Sequence, residues 1–108
     1  MAVPFEIEVE ELDRRLKAGE TPFLLDVREP WERDICAIGG SVLMPLATLP
    51  ERVSELPADR DIIVVCHHGG RSAQATMWLR MRGFDRVTNL GGGVDAWARQ
   101  IDPNMKVY

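Results

Sequence analysis

The sequence predicts an α/β domain built on a mainly parallel sheet. Strand-like and helix-like segments alternate along its 108 residues, which is the pattern of parallel strands joined by helical crossovers. The strongest strand signal is Ile62-Ile-Val-Val65, an uninterrupted run of β-branched residues. A chain of this length can bury one hydrophobic core and is too short for two. We therefore expect a single domain over residues 1–108.

Apolar periodicity places the remaining elements. Val9, Leu12 and Leu16 repeat at the spacing of an amphipathic helix, and Gly19 follows as a possible stop. Similar repeats are formed by Ala73, Met77 and Met81, and by Val94, Trp97 and Ile101. The predicted helices are 8–18, a segment from Ser72 to a stop at Gly83, one after the glycine run 91–93, and short ones from Pro30 and over 49–56. The predicted strands are 23–27, 41–44, 62–65 and 86–89, within a sheet of roughly five strands.

The composition excludes several classes of function. A net charge of -4 argues against a nucleic-acid partner, since phosphate backbones select basic surfaces. No apolar run approaches the ~20 residues that span a bilayer, and the first residues lack the pattern of a signal peptide. We therefore expect a cytoplasmic protein without a membrane contact. Two cysteines do not make a disulfide scaffold, and Cys36 is expected to be a small buried hydrophobe.

Cys66 stands where the best strand signal ends and a helix is about to begin. Ligands of open α/β sheets bind at the carboxyl ends of strands. The helix start, at Arg71 and Ser72, offers unpaired N–H groups and partial positive charge, to which Arg71 adds a full charge. Gly69 and Gly70 allow the backbone to curl so that amides point inward. These features favour an anionic, nucleophilic sulfur.

His67 and His68 are the only histidines of the chain and follow Cys66 directly. Adjacent residues cannot easily direct their rings at one ion, and no second ligand pair stands at zinc spacing, so no metal is expected. A Cys-His dyad is conceivable, but neighbouring rings in a tight loop tend to splay outward. We expect them to control access or to contact substrate. The glycine run 91–93 lacks the residues of a nucleotide loop, so we predict a turn that opens the last helix and no cofactor.

The length of the loop separates two chemistries. Protein tyrosine phosphatases resemble this arrangement but use Cys-x5-Arg, and their larger loop surrounds the oxygens of a phosphate. Here Cys66 and Arg71 are separated by four residues. The tighter loop suits one terminal sulfur on Cys66 better than a phosphate. The spacing therefore favours sulfur transfer over phosphoryl transfer.

Three segments together resemble the rhodanese family of sulfurtransferases. They are Leu24-Leu-Asp-Val-Arg-Glu29, Cys66-His-His-Gly-Gly-Arg71 and Asn89-Leu-Gly-Gly-Gly-Val-Asp-Ala-Trp97. The resemblance covers nearly the whole chain and is to the single-domain kind. It implies a rhodanese-like sandwich, in which helices flank a five-stranded, mostly parallel sheet.

The resemblance also implies an activity. Cys66 would take the outer sulfur of thiosulfate or of a persulfide donor, and pass it to a thiol, cyanide or a protein acceptor. Asp26 and Arg28 match positions that brace the loops around the site in the family, although direct substrate contact and a surface ion network both stay open. The loop amides from His67 to Arg71 would hold the persulfide. The residues implied to bind substrate are His67, His68, Gly69, Gly70, Arg71 and Ser72.

Departures from the family leave alternatives open. Ala37 replaces a common histidine at a position that looks structural. His67 stands where many thiosulfate-active members have a basic residue, which favours a persulfide donor, although Arg71 could still meet an anion. The alternatives are a phosphatase or arsenate reductase-like enzyme and a non-catalytic rhodanese-shaped binding module, which commonly lacks the cysteine. The oligomeric state and a part for Cys36 in resolving the persulfide stay open.

Overall fold

The structure, a computed structural model, describes residues 3–108. Five strands form one sheet in the order β1-β5-β4-β2-β3, and each hydrogen-bonded pair is parallel. The predicted α/β class is therefore confirmed. The strands are β1 (Glu6–Ile7), β2 (Phe23–Asp26), β3 (Val42–Leu43), β4 (Ile62–Val65) and β5 (Val87–Leu90). The helices are α1 (Val9–Lys17), α2 (Pro30–Ile35), α3 (Leu49–Arg52), α4 (Gly70–Met81) and α5 (Gly93–Gln100), with 3-10 turns at Leu46–Thr48 and Val53–Glu55.

The helices cover both faces of the sheet, so that β4 is buried on each side. Val64 belongs to a core cluster with Leu79 of α4, whereas Val65 belongs to the opposite cluster with Leu12 of α1 and Val94 of α5. Alternate residues of a strand point to opposite faces, and a strand covered on both faces is continuously apolar. This explains why the β-branched run of β4 was the clearest signal. Within residues 3–108, none of the helices combines the length and apolar character needed to cross a membrane.

Strand β1 was not among the strands located from the sequence. It has two residues, Glu6 and Ile7, and is too short to show a period. Pairing with β5 defines it: the N–H of Asn89 donates to Phe5 O at 2.7 Å, and the N–H of Gly91 donates to Ile7 O at 2.8 Å. A strand of this kind exists because a neighbouring strand offers an open edge, which a local pattern does not reveal.

The helix predicted from Ser72 exists, but its apolar repeat marks the wrong face. Helix α4 begins at Gly70, and Met77 and Met81 are 58% and 81% exposed. The buried face consists of small, hydroxyl-bearing and aliphatic residues, namely Ser72, Ala75, Thr76 and Leu79. Small side chains allow the helix to lie close to the sheet, so large apolar residues do not mark the face that packs.

Candidate active site

Three neighbouring strands bring the Cys66 loop and two other segments to one edge of the sheet. In register, Val65 of β4 lies beside Asp26 of β2, and Val64 lies beside Asn89 of β5. Because these strands are parallel, the segments that follow them leave the sheet at the same edge. Cys66, the Asp26–Arg28 pair and the glycine run 91–93 therefore meet there, although they are far apart in sequence.

The sulfur of Cys66 lies among hydrogen-bond donors. The backbone N–H groups of Gly69 and Ser72 donate to Sγ at 3.1 and 3.3 Å, and the Ser72 hydroxyl lies 3.2 Å away. Cys66 as a residue is 1% exposed, so these donors replace water around the sulfur. Such an arrangement stabilises negative charge on sulfur. Of the amides from His67 to Arg71 that the family resemblance implies for holding a persulfide, that of Gly69 contacts Sγ itself; the second backbone donor is Ser72.

One glycine of the loop is required by its conformation. Gly69 has a φ of +106°, and a Cβ there would lie 3.2 Å from the amide nitrogen of Gly92. Gly70 is the first residue of α4, and an added Cβ would meet no atom within 4 Å. Both glycines were expected to let the backbone curl. Of the two, Gly69 is the one that combines a left-handed backbone with a close neighbour.

The glycine run 91–93 forms the predicted turn and also holds the loop. Gly93 has a φ of +57°, and a Cβ there would overlap the carbonyl oxygens of Cys66 and His67. Because that space is free, the N–H groups of Val94 and Asp95 donate to those two oxygens at 3.0 and 3.1 Å. The first turn of α5 thus fixes the backbone on which the sulfur is mounted.

Arg71 is bound by a carboxylate from another element. Its Nη1 and Nη2 donate to Oε2 and Oε1 of Glu32 in α2, each at 2.8 Å. Glu32 also accepts from the Glu29 N–H at 2.9 Å and from the Tyr108 hydroxyl at 2.9 Å. The Arg71 hydrogen bonds, with smaller contributions from the other donors, lower the pKa of Glu32 to about 2. Glu32 in turn raises the pKa of Arg71, so both groups are ionised and paired.

Asp26 and Arg28 form a second buried pair. Arg28 Nε and Nη2 donate to the Asp26 carboxylate at 2.9 and 2.8 Å, and both residues are buried. Further donations run to Cys36 O at 2.7 Å and to the Tyr108 hydroxyl at 3.0 Å. Burial opposes the charge, but these hydrogen bonds outweigh it and raise the pKa of Arg28. A surface ion network is therefore excluded for this pair, and Arg28 joins it to the residue that ends α2, Cys36.

Three rings stack beside Cys66. The His67 ring lies between His68 and Tyr108, with centroids 3.8 Å away on each side and interplanar angles of 29° and 6°. The expectation that the two adjacent histidine rings splay outward is wrong. They stack on each other, and the Tyr108 ring stacks on His67 and holds it in place. Burial, and next the charge of His68, lower the pKa of His67, which favours the neutral imidazole. Its Nε2 is buried and has no hydrogen-bond partner within residues 3–108.

His67 and His68 also approach Asp95. One potential ligand atom of each of the three lies within 4.8 Å of the others. A metal is bound in the plane of each imidazole, along a nitrogen lone pair. The rings are stacked, so their lone pairs run side by side rather than toward one point. The arrangement does not fit a shared ion, and we assign no metal to it.

Glu32 and Tyr108 were missed by the analysis of the sequence. Glu32 had a local signal, because it forms a capping box with Glu29 at the start of α2. Nothing local indicates that its carboxylate receives a guanidinium from Arg71, 39 residues away. Cys36, which was expected to be buried, is half-buried and packs against the core cluster that includes α1 and α5. It is not in a disulfide, and Arg28 Nη1 donates to its sulfur at 3.8 Å.

The chain is similar to known proteins over most of its length. The family model described as a rhodanese-like domain matches residues 8–100. A sulfurtransferase of Allochromatium vinosum is 43% identical over 94 residues, which cover 87% of this chain and 88% of that protein. A putative sulfur carrier protein of Bacillus subtilis is 34% identical over 90% of this chain, but only 52% of its own length is covered. A chloroplastic rhodanese-like/PpiC domain-containing protein of Arabidopsis thaliana is 36% identical, with 95% of this chain and 37% of that protein covered.

Solved structures show the same architecture. A rhodanese-related protein of Thermoplasma volcanium superposes with a TM-score of 0.82 at 32% identity, over 91% of this chain and 94% of that one. A rhodanese-like domain protein of Staphylococcus aureus superposes with a TM-score of 0.84 at 27% identity, over 97% and 99% of the two chains. The five-stranded fold and the resemblance seen in the sequence are thereby confirmed.

Proposed function

The chain belongs to the rhodanese-like domain family, and from this premise we propose that it is a sulfurtransferase that carries sulfane sulfur as a persulfide on Cys66. The observation that carries the proposal is the set of polar groups around Sγ: the N–H groups of Gly69 and Ser72 donate to it, and the Ser72 hydroxyl, which can donate to a thiolate, lies 3.2 Å away. A nucleophile cradled by fixed donors is stabilised as an anion before it reacts. The same groups can stabilise the outer sulfur of a persulfide after it has formed.

The first half-reaction loads the sulfur. The Cys66 thiolate attacks the sulfane sulfur of thiosulfate, an S–S bond forms, and the S–S bond of the donor breaks. Sulfite leaves with the electron pair, and Cys66 becomes an anionic persulfide. With an alkyl persulfide as donor, the alkyl thiolate is the leaving group, and the total charge is again conserved.

The second half-reaction transfers the sulfur from Cys66 to an acceptor. An acceptor thiolate or cyanide attacks the outer sulfur of the Cys66 persulfide, and the Cys66 thiolate leaves. The products are an acceptor persulfide or thiocyanate, and the starting enzyme is restored. A protein thiol is a plausible acceptor because one relative bears the name of a putative sulfur carrier protein.

The surrounding residues have distinct proposed roles. Gly69 and Ser72 supply donors to the sulfur, whereas Gly70 contributes the helix start. His67 and His68 form the wall that the substrate passes. Asp26 and Arg28 act as positioning residues that brace the neighbouring segment. Arg28 donates hydrogen bonds to the Asp26 carboxylate, the Cys36 carbonyl oxygen and the Tyr108 hydroxyl. Arg71 is the cation at the rim of the Cys66 loop and is paired with Glu32.

A mass measurement tests the proposal. The purified chain is incubated with thiosulfate or with a small alkyl persulfide, excess donor is removed, and intact mass is recorded. We expect a gain of one sulfur atom, lost in Cys66→Ala and kept in Cys36→Ala, which is the matched control. A persulfide that survives in Cys66→Ala would place the chemistry elsewhere, and hydrolysis of an aryl phosphate that depends on Cys66 would favour a phosphatase.

A further inference from the structure

We propose that Glu32 is a specificity-determining residue: by pairing with Arg71 it withdraws a cation from the rim of the Cys66 loop and selects persulfide donors over the thiosulfate dianion. This inference rests on the proposed sulfurtransferase function. It assigns to a residue of α2, outside the loop, the choice between two classes of donor.

Arg71 is the charged group of the loop. It follows the curled segment after Cys66, and its side chain is 38% exposed. The pKa of Arg71 is raised chiefly by Glu32 and to a smaller extent by Cys66, so Arg71 lies within electrostatic reach of the sulfur. A free guanidinium at this position would attract a doubly charged anion more strongly than a singly charged one. Both of its terminal nitrogens, however, already donate to Glu32 at 2.8 Å.

Glu32 is held so firmly that Arg71 cannot draw it toward an incoming anion. The residue is 3% exposed. Its carboxylate is bound to the start of α2 through the Glu29 N–H and to the end of the described chain through the Tyr108 hydroxyl. To move its charge away from Glu32 and toward thiosulfate, Arg71 would have to leave a buried carboxylate without its counter-charge. Such a separation is strongly unfavourable.

The neighbouring cations are paired as well. Arg28 is bound by Asp26 at 2.8 Å, and Asp95 lies 3.0 Å from Arg99 and 4.0 Å from the His68 ring. His67, between two rings, is favoured as the neutral imidazole. Arg33 shares Asp26 with Arg28, at 3.5 Å. At the rim of the Cys66 loop the donor therefore meets an Arg71 charge that Glu32 largely cancels. Thiosulfate carries two negative charges and a simple alkyl persulfide carries one. Cancelling the Arg71 charge therefore weakens the binding of thiosulfate more than the binding of the persulfide.

Replacing Glu32 by Gln removes the negative charge and keeps the shape. The amide oxygen of Gln can still accept from Glu29 N–H or Tyr108, while Arg71 regains an uncompensated charge at the rim. We measure kcat/KM for thiosulfate and for an alkyl persulfide without other charged groups, with cyanide as acceptor for both. The ratio of thiosulfate to persulfide is expected to rise about tenfold in Glu32→Gln, the effect of ~1.4 kcal/mol on one donor. The gain should appear in the KM for thiosulfate and should shrink as salt is added.

Two variants separate charge from structure. Glu32→Asp keeps the negative charge and is expected to keep a low ratio, whereas a tenfold rise there would overturn the proposal. The double variant Glu32→Gln with Arg71→Gln removes both charges, and we expect it to cancel the gain. A gain that persists without Arg71 would also overturn the proposal. Circular dichroism and a thermal melt of each variant establish that it is folded.

The outcomes distinguish this inference from the proposed function. An unchanged ratio in folded Glu32→Gln, with both donors still loading Cys66, overturns the role of Glu32 and leaves the sulfurtransferase intact. Failure of both donors to load Cys66 in the unsubstituted chain overturns both. If Glu32→Gln does not fold, Glu32→Met removes the same charge with an unbranched apolar side chain of similar length. The same rise in the ratio is then expected, and no rise in the folded variant overturns the proposal.

Discussion

The backbone N–H of Val94 donates a 3.0 Å hydrogen bond to the carbonyl oxygen of Cys66. This contact joins the first turn of α5 to the reactive loop, between two segments that are adjacent only because β4 and β5 pair in parallel. It is possible because Gly93 presents no side chain toward the loop. The closing glycine run is therefore part of the machinery that positions the sulfur.

Gly93→Ala should destabilise the protein and displace the loop. Its φ is +57°, and the added Cβ would overlap backbone oxygens of Cys66 and His67, so neither rotation nor a side-chain shift relieves the contact. We expect a loss of about 2 kcal/mol or more in the free energy of unfolding, measured by urea denaturation. Gly39→Ala is the control, because a Cβ there meets no atom within 4 Å. Equal losses in the two variants would contradict the tight contact.

Ser72→Ala should slow the reaction of Cys66. The hydroxyl lies 3.2 Å from the sulfur, and its removal leaves only the two backbone donors at Gly69 and Ser72. The loss of one hydrogen bond of ~1 kcal/mol predicts alkylation by iodoacetamide about fivefold slower. Thr76→Val is the matched control, since that hydroxyl donates to the Ser72 carbonyl at 2.8 Å and does not reach the sulfur. Similar slowing in both variants would mean that the effect is not specific to the sulfur contact.

Glu32 should make the protein sensitive to acid. Its pKa is about 2 in the folded chain against 4.5 as the ordinary value, chiefly because of Arg71. A depressed carboxyl pKa contributes stability that is complete above the unfolded value and is lost as the pH falls through the folded one. The difference in unfolding free energy between the unsubstituted chain and Glu32→Gln should therefore shrink by about 3 kcal/mol between about pH 4.5 and pH 2. A difference independent of pH would show that Glu32 titrates normally.

Tyr108 should ionise at a higher pH than an ordinary tyrosine. It is the only tyrosine of the chain, so near-ultraviolet absorbance reports it directly. Burial, together with the hydrogen bond that the phenol donates to Glu32, raises its pKa to about 12 in spite of Arg28. We expect the Tyr108 titration in Glu32→Gln to have its midpoint at a lower pH, because the neighbouring negative charge of Glu32 is gone. A midpoint near the ordinary value of 10.0 while circular dichroism still shows the folded state would contradict the network.

Local sequence was sufficient for much of the fold and for the centre of the site. Strand β4 was predicted because burial on both faces requires an unbroken apolar run, and α1 because one face of a surface helix must be apolar. Cys66 was singled out because a strand end, a glycine and a helix start are all encoded within a few residues of it. The glycine run 91–93 was predicted as a turn for the same local reason, since left-handed backbone favours glycine.

Other features were decided only when distant segments came together. Helix α4 packs through small residues because the sheet lies close to it, so its apolar repeat pointed to the exposed face. The partner of Arg71 is 39 residues away and that of the Tyr108 hydroxyl is 76 residues away, and no periodicity encodes a pairing over such separations. The sequence by itself determined that Cys66 follows a strand and faces a helix start. The tertiary structure decided which charges surround it, because ion pairing depends on distances that the parallel order of β5, β4 and β2 sets.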